Sequence, residues 1–472
     1  MPEDDEPDAR GLFGGVFARG RADVGDTAWL QAMLDAEAGL ARALERAGLA
    51  PAGAGEAVTA VARAEYFDPN ELGRLASLTG NPVPGLARAL ARRVPQTAAG
   101  TVHRGATSQD IVDTAAMLLA KRSAGVILAD LARAADAAAG LADAHRSTIM
   151  IGRTLLQQAV PVTFGLVAAG WLAELDEARD GLAAVRARRL AVQFGGAAGT
   201  LASLGDNGPQ VATLLAADLG LAAPTLPWHT GRLRIIDLGS ALARVTAALG
   251  KIARDVTLLA QSEVGEVSEG AASPAGSGQE PAASPRRGGS SAMPHKNNPV
   301  AAIAILGCAR QMPGLLATLV SSAEQEHQRA AGAWHAEWEP LTAMLRLAGS
   351  AASWGADLLS GLGVDSSRMA ANLKATKGLP LAEHVASLLT GVLGSAQAHD
   401  LVAEAATRAV SAGLPLQDVL LSVPGLEERL SAAGISAEQI ESALEPSGYL
   451  GAADTFVTAA LQAHEALEVP NG

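Results

Sequence analysis

Residues 235–267, "IIDLGSALARVTAALGKIARDVTLLAQSEVGEV", contain no proline, and their apolar side chains recur three and four positions apart. That period predicts one continuous helix over Leu233–Ser268. A helix of this length does not suit a compact globule. It suits a bundle whose members pack along their whole length. The same pattern predicts long helices over Ala116–His145 and Val160–Val192, and a helix from Thr27 that Gly48 and Pro51 close. Many of these faces carry Ala and Leu on more than one side, which implies burial against other helices or other subunits. No alternating strand pattern is sustained, so the expected fold class is all-α.

Three stretches break the bundle: the glycine-rich "QFGGAAGTLASLG" (193–205), "LAAPTLPWHTGR" (221–232), and "GAASPAGSGQEPAASPRRGGSSAMPHKNNP" (270–299). The expected organisation is an acidic, disordered tail over 1–10, an N-terminal helical domain over 11–112, a central long-helix domain over 113–362 carrying the loop 270–299, and a C-terminal helical domain over 363–472.

The chain has 472 residues, 49% hydrophobic and 18% charged, so a large core is expected rather than global disorder. Its net charge of −13 argues against general binding to nucleic acid or to an anionic membrane. An anionic substrate would need a locally basic pocket. The single cysteine, Cys308, lies in the apolar run "AAIAILGCAR" and reads as a small core residue. The start "MPEDDEPDAR" has no basic region followed by an apolar block, and no apolar run reads as long enough to span a bilayer. A cytoplasmic protein is expected.

Several motifs compete for the chemistry. "GGAAGT" lacks the Lys-Ser/Thr ending of a phosphate loop and follows no strand, so it reads as a tight turn with close backbone approach. His327 and His335 are eight apart, no His-Glu-x-x-His spacing occurs, and no metal is expected. No Gly-x-Ser-x-Gly elbow is present. Arg232 and Arg329 are candidates to grip a carboxylate with a bidentate guanidinium, although an inter-helix salt bridge suits either equally well. In "HRGATSQDIVDT" (103–114) a polar loop tips into a helix, with Thr107, Ser108 and Asp110 as plausible caps.

"GGSSAMPHKNNPV" (288–300) is denser in chemistry than any linker needs to be. Ser290, Lys296 and Asn298 bring a proton acceptor, a cation and an amide donor within nine residues. Removing a proton beside a carboxylate needs those types: a base takes the proton, and a cation with donors stabilises the dianionic enediolate. A serine becomes a base only in a desolvated, donor-rich setting, which a closing lid supplies.

This stretch resembles the signature loop of the aspartase/fumarase superfamily, Gly-Ser-Ser-x-Met-Pro-x-Lys-x-Asn, at Gly289, Ser290, Ser291, Met293, Pro294, Lys296 and Asn298. "HRGATSQDIVDT" resembles the superfamily's first carboxylate-binding segment and "GRTLLQQAVPVTFG" (152–165) its second, in the expected order along nearly the whole chain. The resemblance implies a three-domain fold whose central bundle forms the core of a homotetramer, with each active site drawn from three subunits. It implies reversible addition or elimination on a succinate-like polycarboxylate through an aci-carboxylate. By position, Ser290 would be the base. Lys296 and Asn298 would hold the activated carboxylate, and Thr107, Ser108, Gln157, Ser291 and Met293 would line the substrate site. No metal or organic cofactor is implied.

Two positions refine the resemblance. Most of the superfamily carries histidine after Gly-Arg-Thr, where this chain has Leu155. Its absence implies a leaving group that departs as an anion without a proton. Together with Trp171, "PWHTGR" and "WHAEWEP", the segment is most similar to the branch of 3-carboxy-cis,cis-muconate cycloisomerases, whose leaving group in reverse is a carboxylate. That branch usually has arginine where this chain has Asn297. One positive charge fewer leaves a second reading open, a nitrosuccinate lyase that releases nitrite and fumarate. A third is an inert structural protein on the same scaffold, although such a protein need not keep Ser290, Lys296 and Asn298.

Overall fold

The structure is a computed structural model that describes residues 11–270, 288, 289, 293, 296–432 and 434–468. The tail 1–10, most of the loop 270–299, and Ser290 and Ser291 within it lie outside the described residues.

The described chain is built from helices, six of them longer than twenty residues: α1 (Asp26–Arg46), α2 (Ser108–Ala144), α3 (Phe164–Arg188), α4 (Leu233–Leu259), α5 (Val300–Ser321) and α6 (Trp338–Ser360). Helix α1 shows how local sequence sets an end. Asp26 sits at its positive pole and Arg46 at its negative pole. Gly48 then turns left-handed at φ 74°, letting Leu49 N–H donate back to Leu44 O at 2.8 Å. Helix α2 has 37 residues, so it runs about 55 Å at 1.5 Å per residue. Small residues let such helices approach closely. A Cβ on Gly355 of α6 would stand 2.4 Å from Leu249 Cδ2 of α4, so only glycine fits there.

Backbone contacts divide the chain into two compact units rather than along sequence-contiguous domains. One comprises 1–133, 177–253 and 301–356, and the other 134–176, 254–300 and 357–472. Within the second, the C-terminal segment has a core of its own, with Val385, Leu389, Val402, Leu416, Leu420, Leu430 and Ile440 buried together.

The helix boundaries differ from expectation in ways that locate the site. The run Val160–Val192 is not all helix. Ile149–Thr154 (β1) and Gln157–Thr163 (β2) form an antiparallel hairpin, and α3 begins only at Phe164. β-branched Val160, Val162 and Thr163 favour a strand, and Thr163 Oγ1 then accepts from Leu166 N–H at 3.1 Å to start α3. The helix expected over Leu233–Ser268 stops at Leu259, because Val267–Glu269 (β3) pairs with Leu362–Val364 (β4). The helix expected from Ala116 begins eight residues earlier, at Ser108.

A further correction concerns α5. By length and composition its 22 residues could cross a membrane, with mean hydropathy 1.5, although no such run was expected. Arg310, Gln311 and Pro313 interrupt it, and Phe17 packs where a Cβ on Gly307 would stand. Cys308 on this helix is fully buried, and burial pushes its thiol up to about 11, so it stays a neutral packing group.

Candidate active site

In the first unit, the loop 103–107 ends where α2 begins, and Asp110 fixes that junction. Its buried carboxylate accepts from Thr107 N–H (2.9 Å), Gly195 N–H (3.0 Å), Gly196 N–H (2.9 Å) and His229 Nε2 (2.7 Å). The bond to Thr107 is half of a capping box, with Asp110 as the third residue of the helix. The other three explain the glycines in "QFGGAAGT". A Cβ on Gly196 would lie 2.9 Å from Gly105 O, and one on Gly195 2.8 Å from His229 Cε1. The glycines hold backbone against backbone, and no phosphate cradle is needed to account for them.

One turn along α2, Asp113 anchors a second layer. Arg232 grips it with Nη1 (2.7 Å) and Nη2 (3.0 Å), and Trp334 Nε1 donates to it at 3.0 Å. The same guanidinium turns its Nε (3.0 Å) and Nη2 (2.5 Å) to Glu337, and Nη1 also reaches Trp228 O. Arg232 is 2% exposed. Burial opposes its charge, but Asp113 and Glu337 outweigh burial and hold it firmly protonated. Burial is also the largest influence on Glu337, lifting its carboxyl above the ordinary range against the pull of Arg232. With both edges of its fork committed, Arg232 forms the inter-helix salt bridge that was its other reading.

Arg329 sits closer to the loop. Its Nη1 donates to Gln109 Oε1 (2.9 Å) and its Nη2 to the carbonyls of Gly196 (3.2 Å) and Ala197 (2.9 Å). Gln109 in turn donates to His229 O at 2.8 Å. His103 adopts a left-handed φ of 59° and bonds buried Glu37 twice, through its backbone N–H (2.9 Å) and Nδ1 (2.7 Å). Burial works against its charge, yet the bond and the charge of Glu37, with Asp110 behind, raise its pKa.

This scaffold presents Thr107 and Ser108. Both are half-buried, and among the described residues neither hydroxyl has a hydrogen-bond partner. They stand at the N-terminus of a 37-residue helix, where free N–H groups and the helix dipole favour an anion. A carboxylate is the ligand that such a set can hold.

In the second unit, Gln157 lies at the exposed tip of the β1–β2 hairpin, paired with Thr154. The two-residue turn is Leu155–Leu156, both left-handed at φ 51° and 63° and exposed by 96% and 73%. Arg153 below it makes a two-pronged bond to buried Glu266, 2.8 Å on each side, and Asn372 donates to the same carboxylate at 2.8 Å. The end of the signature loop is also fixed. Asn298 bonds Gly288 O through its backbone N–H (2.9 Å) and its Nδ2 (3.0 Å), while Asn297 pairs with Gly289. Lys296 is exposed and forms no ion pair among the described residues, and Met293 is 42% exposed.

Sequence reading placed Thr107, Ser108, Gln157, Lys296 and Asn298 by motif, but missed the groups that hold them. Asp110 was read only as a cap. Asp113, Glu337, His229 and Glu37 were given no part, although the i, i+3 spacing of Asp110 and Asp113 on one helix face was a usable signal. Among the described residues no group of three or more His, Cys, Asp or Glu is arranged to hold a metal ion. His335 instead bonds Gly80 O, and the backbone of His327 accepts from Thr230.

A long-helix fold, a hydroxyl-bearing helix N-terminus and a Lys-Asn loop together define a lyase of the aspartase/fumarase superfamily. Residues 22–314 match the lyase family model, residues 378–460 match the adenylosuccinate lyase C-terminus, and the chain belongs to this family. It is 47% identical over 451 residues to nitrosuccinate lyase of Streptomyces davaonensis, covering 93% of this chain and 91% of that one. It is 44% identical over 464 residues to 3-carboxy-cis,cis-muconate cycloisomerase of Pseudomonas aeruginosa, covering 97% of each. The crystal structure of 3-carboxy-cis,cis-muconate lactonizing enzyme from Pseudomonas putida superposes with a TM-score of 0.87 at 39% identity, over 97% of this chain and 100% of that one.

Proposed function

We propose that this enzyme interconverts 3-carboxy-cis,cis-muconate and its lactone, acting as a homotetramer without a cofactor. The observation that carries the reading is Leu155. The hairpin tip presents an apolar side chain, 96% exposed, where a proton donor would serve a poor leaving group. In the lactone-opening direction Ser290, as alkoxide, takes the proton beside a carboxylate. The electrons gather on that carboxylate as a dianion, which Lys296 faces. They then return to form the double bond and expel the ring oxygen as a carboxylate, which needs no proton. Lactone formation is the same path reversed. Thr107, Ser108 and the N-terminus of α2 hold a second carboxylate, and Gln157 a further one. End-to-end coverage of the cycloisomerase, 97% of each chain, supports this substrate.

A second reading, elimination of nitrite from nitrosuccinate to give fumarate, is favoured by a specific residue. Asn297 is uncharged and donates weakly to Glu269 O at 3.5 Å, so the loop carries one cation fewer for a third carboxylate. Nitrite also leaves without a proton.

The test is to mix the purified enzyme with 3-carboxy-cis,cis-muconate and follow loss of its conjugated-diene absorbance. Rapid decay supports the lactonising reading. No decay, together with nitrite release from nitrosuccinate, transfers the assignment to the second. In either case Ser290→Ala is expected to lower kcat by about 10³-fold or more, as removal of an essential base does. Retained turnover would remove Ser290 from the mechanism.

A further inference from the structure

A cavity of about 420 Å³ lies in the first unit among α1, the helix Pro69–Thr79, α2 and α6, and the carboxylate chemistry makes no use of it. Trp29, Met33, Leu72, Val112 and Trp338 line it, so most of its wall is apolar and aromatic. Its volume falls within the roughly 300–1,000 Å³ range of small-molecule sites.

One polar atom in that wall is unaccounted for. Trp29 Nε1 donates to Thr342 Oγ1 at 3.1 Å, but Trp338 Nε1 is buried with no hydrogen-bond partner among the described residues. A buried N–H without an acceptor is unfavourable, and native interiors rarely leave one. An acceptor carried by a ligand would satisfy it. The charges in the wall limit what that ligand is. Asp26 and Glu339 face a single Arg346, one negative charge in excess, so the cavity disfavours an anion and in particular a polycarboxylate. The occupant therefore differs in kind from the substrate.

The geometry points to a second, non-catalytic binding site for a small uncharged aromatic molecule with a hydrogen-bond acceptor, placed on Trp338 Nε1. The site adjoins the scaffold described above. Trp338 packs edge-on to Trp334 at 4.9 Å, Trp334 donates to Asp113, and Val112 precedes Asp113 on α2. A molecule in the cavity is thus two contacts from the carboxylate that anchors Arg232.

Three near-isosteric probes separate the contributions when titrated calorimetrically into the full-length enzyme. Benzamide carries an acceptor for Trp338 and donors for Asp26 or Glu339, benzoate adds a negative charge, and toluene has no acceptor. Saturable benzamide binding, at least about tenfold tighter than either analogue, is the expected result. A Cβ on Gly73, in the cavity wall, meets nothing within 4 Å, so Gly73→Leu fills space without a clash and is expected to abolish the binding. Trp338→Phe keeps a ring but deletes the donor and is expected to weaken benzamide about fivefold or more. Absence of saturable benzamide binding to the wild-type enzyme overturns the proposal, as does equal binding of benzoate or unchanged binding to Gly73→Leu. None of these readings depends on turnover, so they stand apart from the assignment of the reaction.

Discussion

Arg232 and Arg329 look alike in sequence and differ in the structure by what surrounds them. Arg232 is 2% exposed and shared between Asp113 and Glu337, so deleting its charge leaves two carboxylates buried together. Breaking such a pair from one side costs about 3–5 kcal/mol, and Arg232→Met is expected to lose that much in denaturant unfolding. Adding Asp113→Asn to that variant should recover part of the loss, because one stranded charge is removed. If Arg232→Met instead left stability unchanged and raised KM alone, its guanidinium would be a substrate contact after all. His103 supplies a pH dependence. Its folded pKa is raised by Glu37, so the protonated form is favoured by folding. That contribution is complete below the unfolded value near 6.5 and is lost as pH rises through the higher folded value. Thermal stability should therefore decline above about pH 6.5, and more steeply than in His103→Gln, which keeps the side-chain length without the titration. Parallel pH profiles of the two proteins would remove His103 as the source.

At the level of elements, the β1–β2 hairpin departs furthest from local preference. A two-residue turn with both φ values positive is the place for Asn-Gly, and here it is Leu155–Leu156. Non-glycine residues held there cost roughly 1–3 kcal/mol each, so Leu155→Asn with Leu156→Gly is expected to raise stability by about 1 kcal/mol or more. The same variant is expected to lose turnover, since the leucines would no longer shut water from the leaving group. Melting temperature and rate measured on one sample check both halves. The hairpin also shows where sequence reading stops. The long helices were legible because their apolar period is sustained over twenty or more residues. Val160, Val162 and Phe164 fit a strand and the start of a helix equally well, and only the pairing of Met150 with Val162 decides between them. The Ser-Lys-Asn loop was legible because its chemistry is local. The cluster around Asp113 was not, because Arg232 and Trp334 lie 119 and 221 residues away from it, and no local pattern records such a meeting.

For the whole molecule, the informative helix is α5. Only 33% of its most apolar window is buried, with Ile303 53% and Val320 50% exposed. A helix this apolar, carrying Arg310 and Pro313, is expected to be covered by other protein rather than by water. The long-helix bundle supplies that cover if copies of the chain pack side by side, as the proposed homotetramer requires. Sedimentation at micromolar concentration should give four copies per particle. Ile303→Lys places a charge where the apolar face needs cover, and is expected to shift the particle to smaller species while helical content is retained. Turnover should fall with assembly, because the hairpin tip and the Lys296 loop would then no longer meet residues of a neighbouring copy. A fully active monomer would sink both the tetramer and the shared site. Loss of assembly without loss of turnover would keep the tetramer as a stabilising device and confine the active site to one chain.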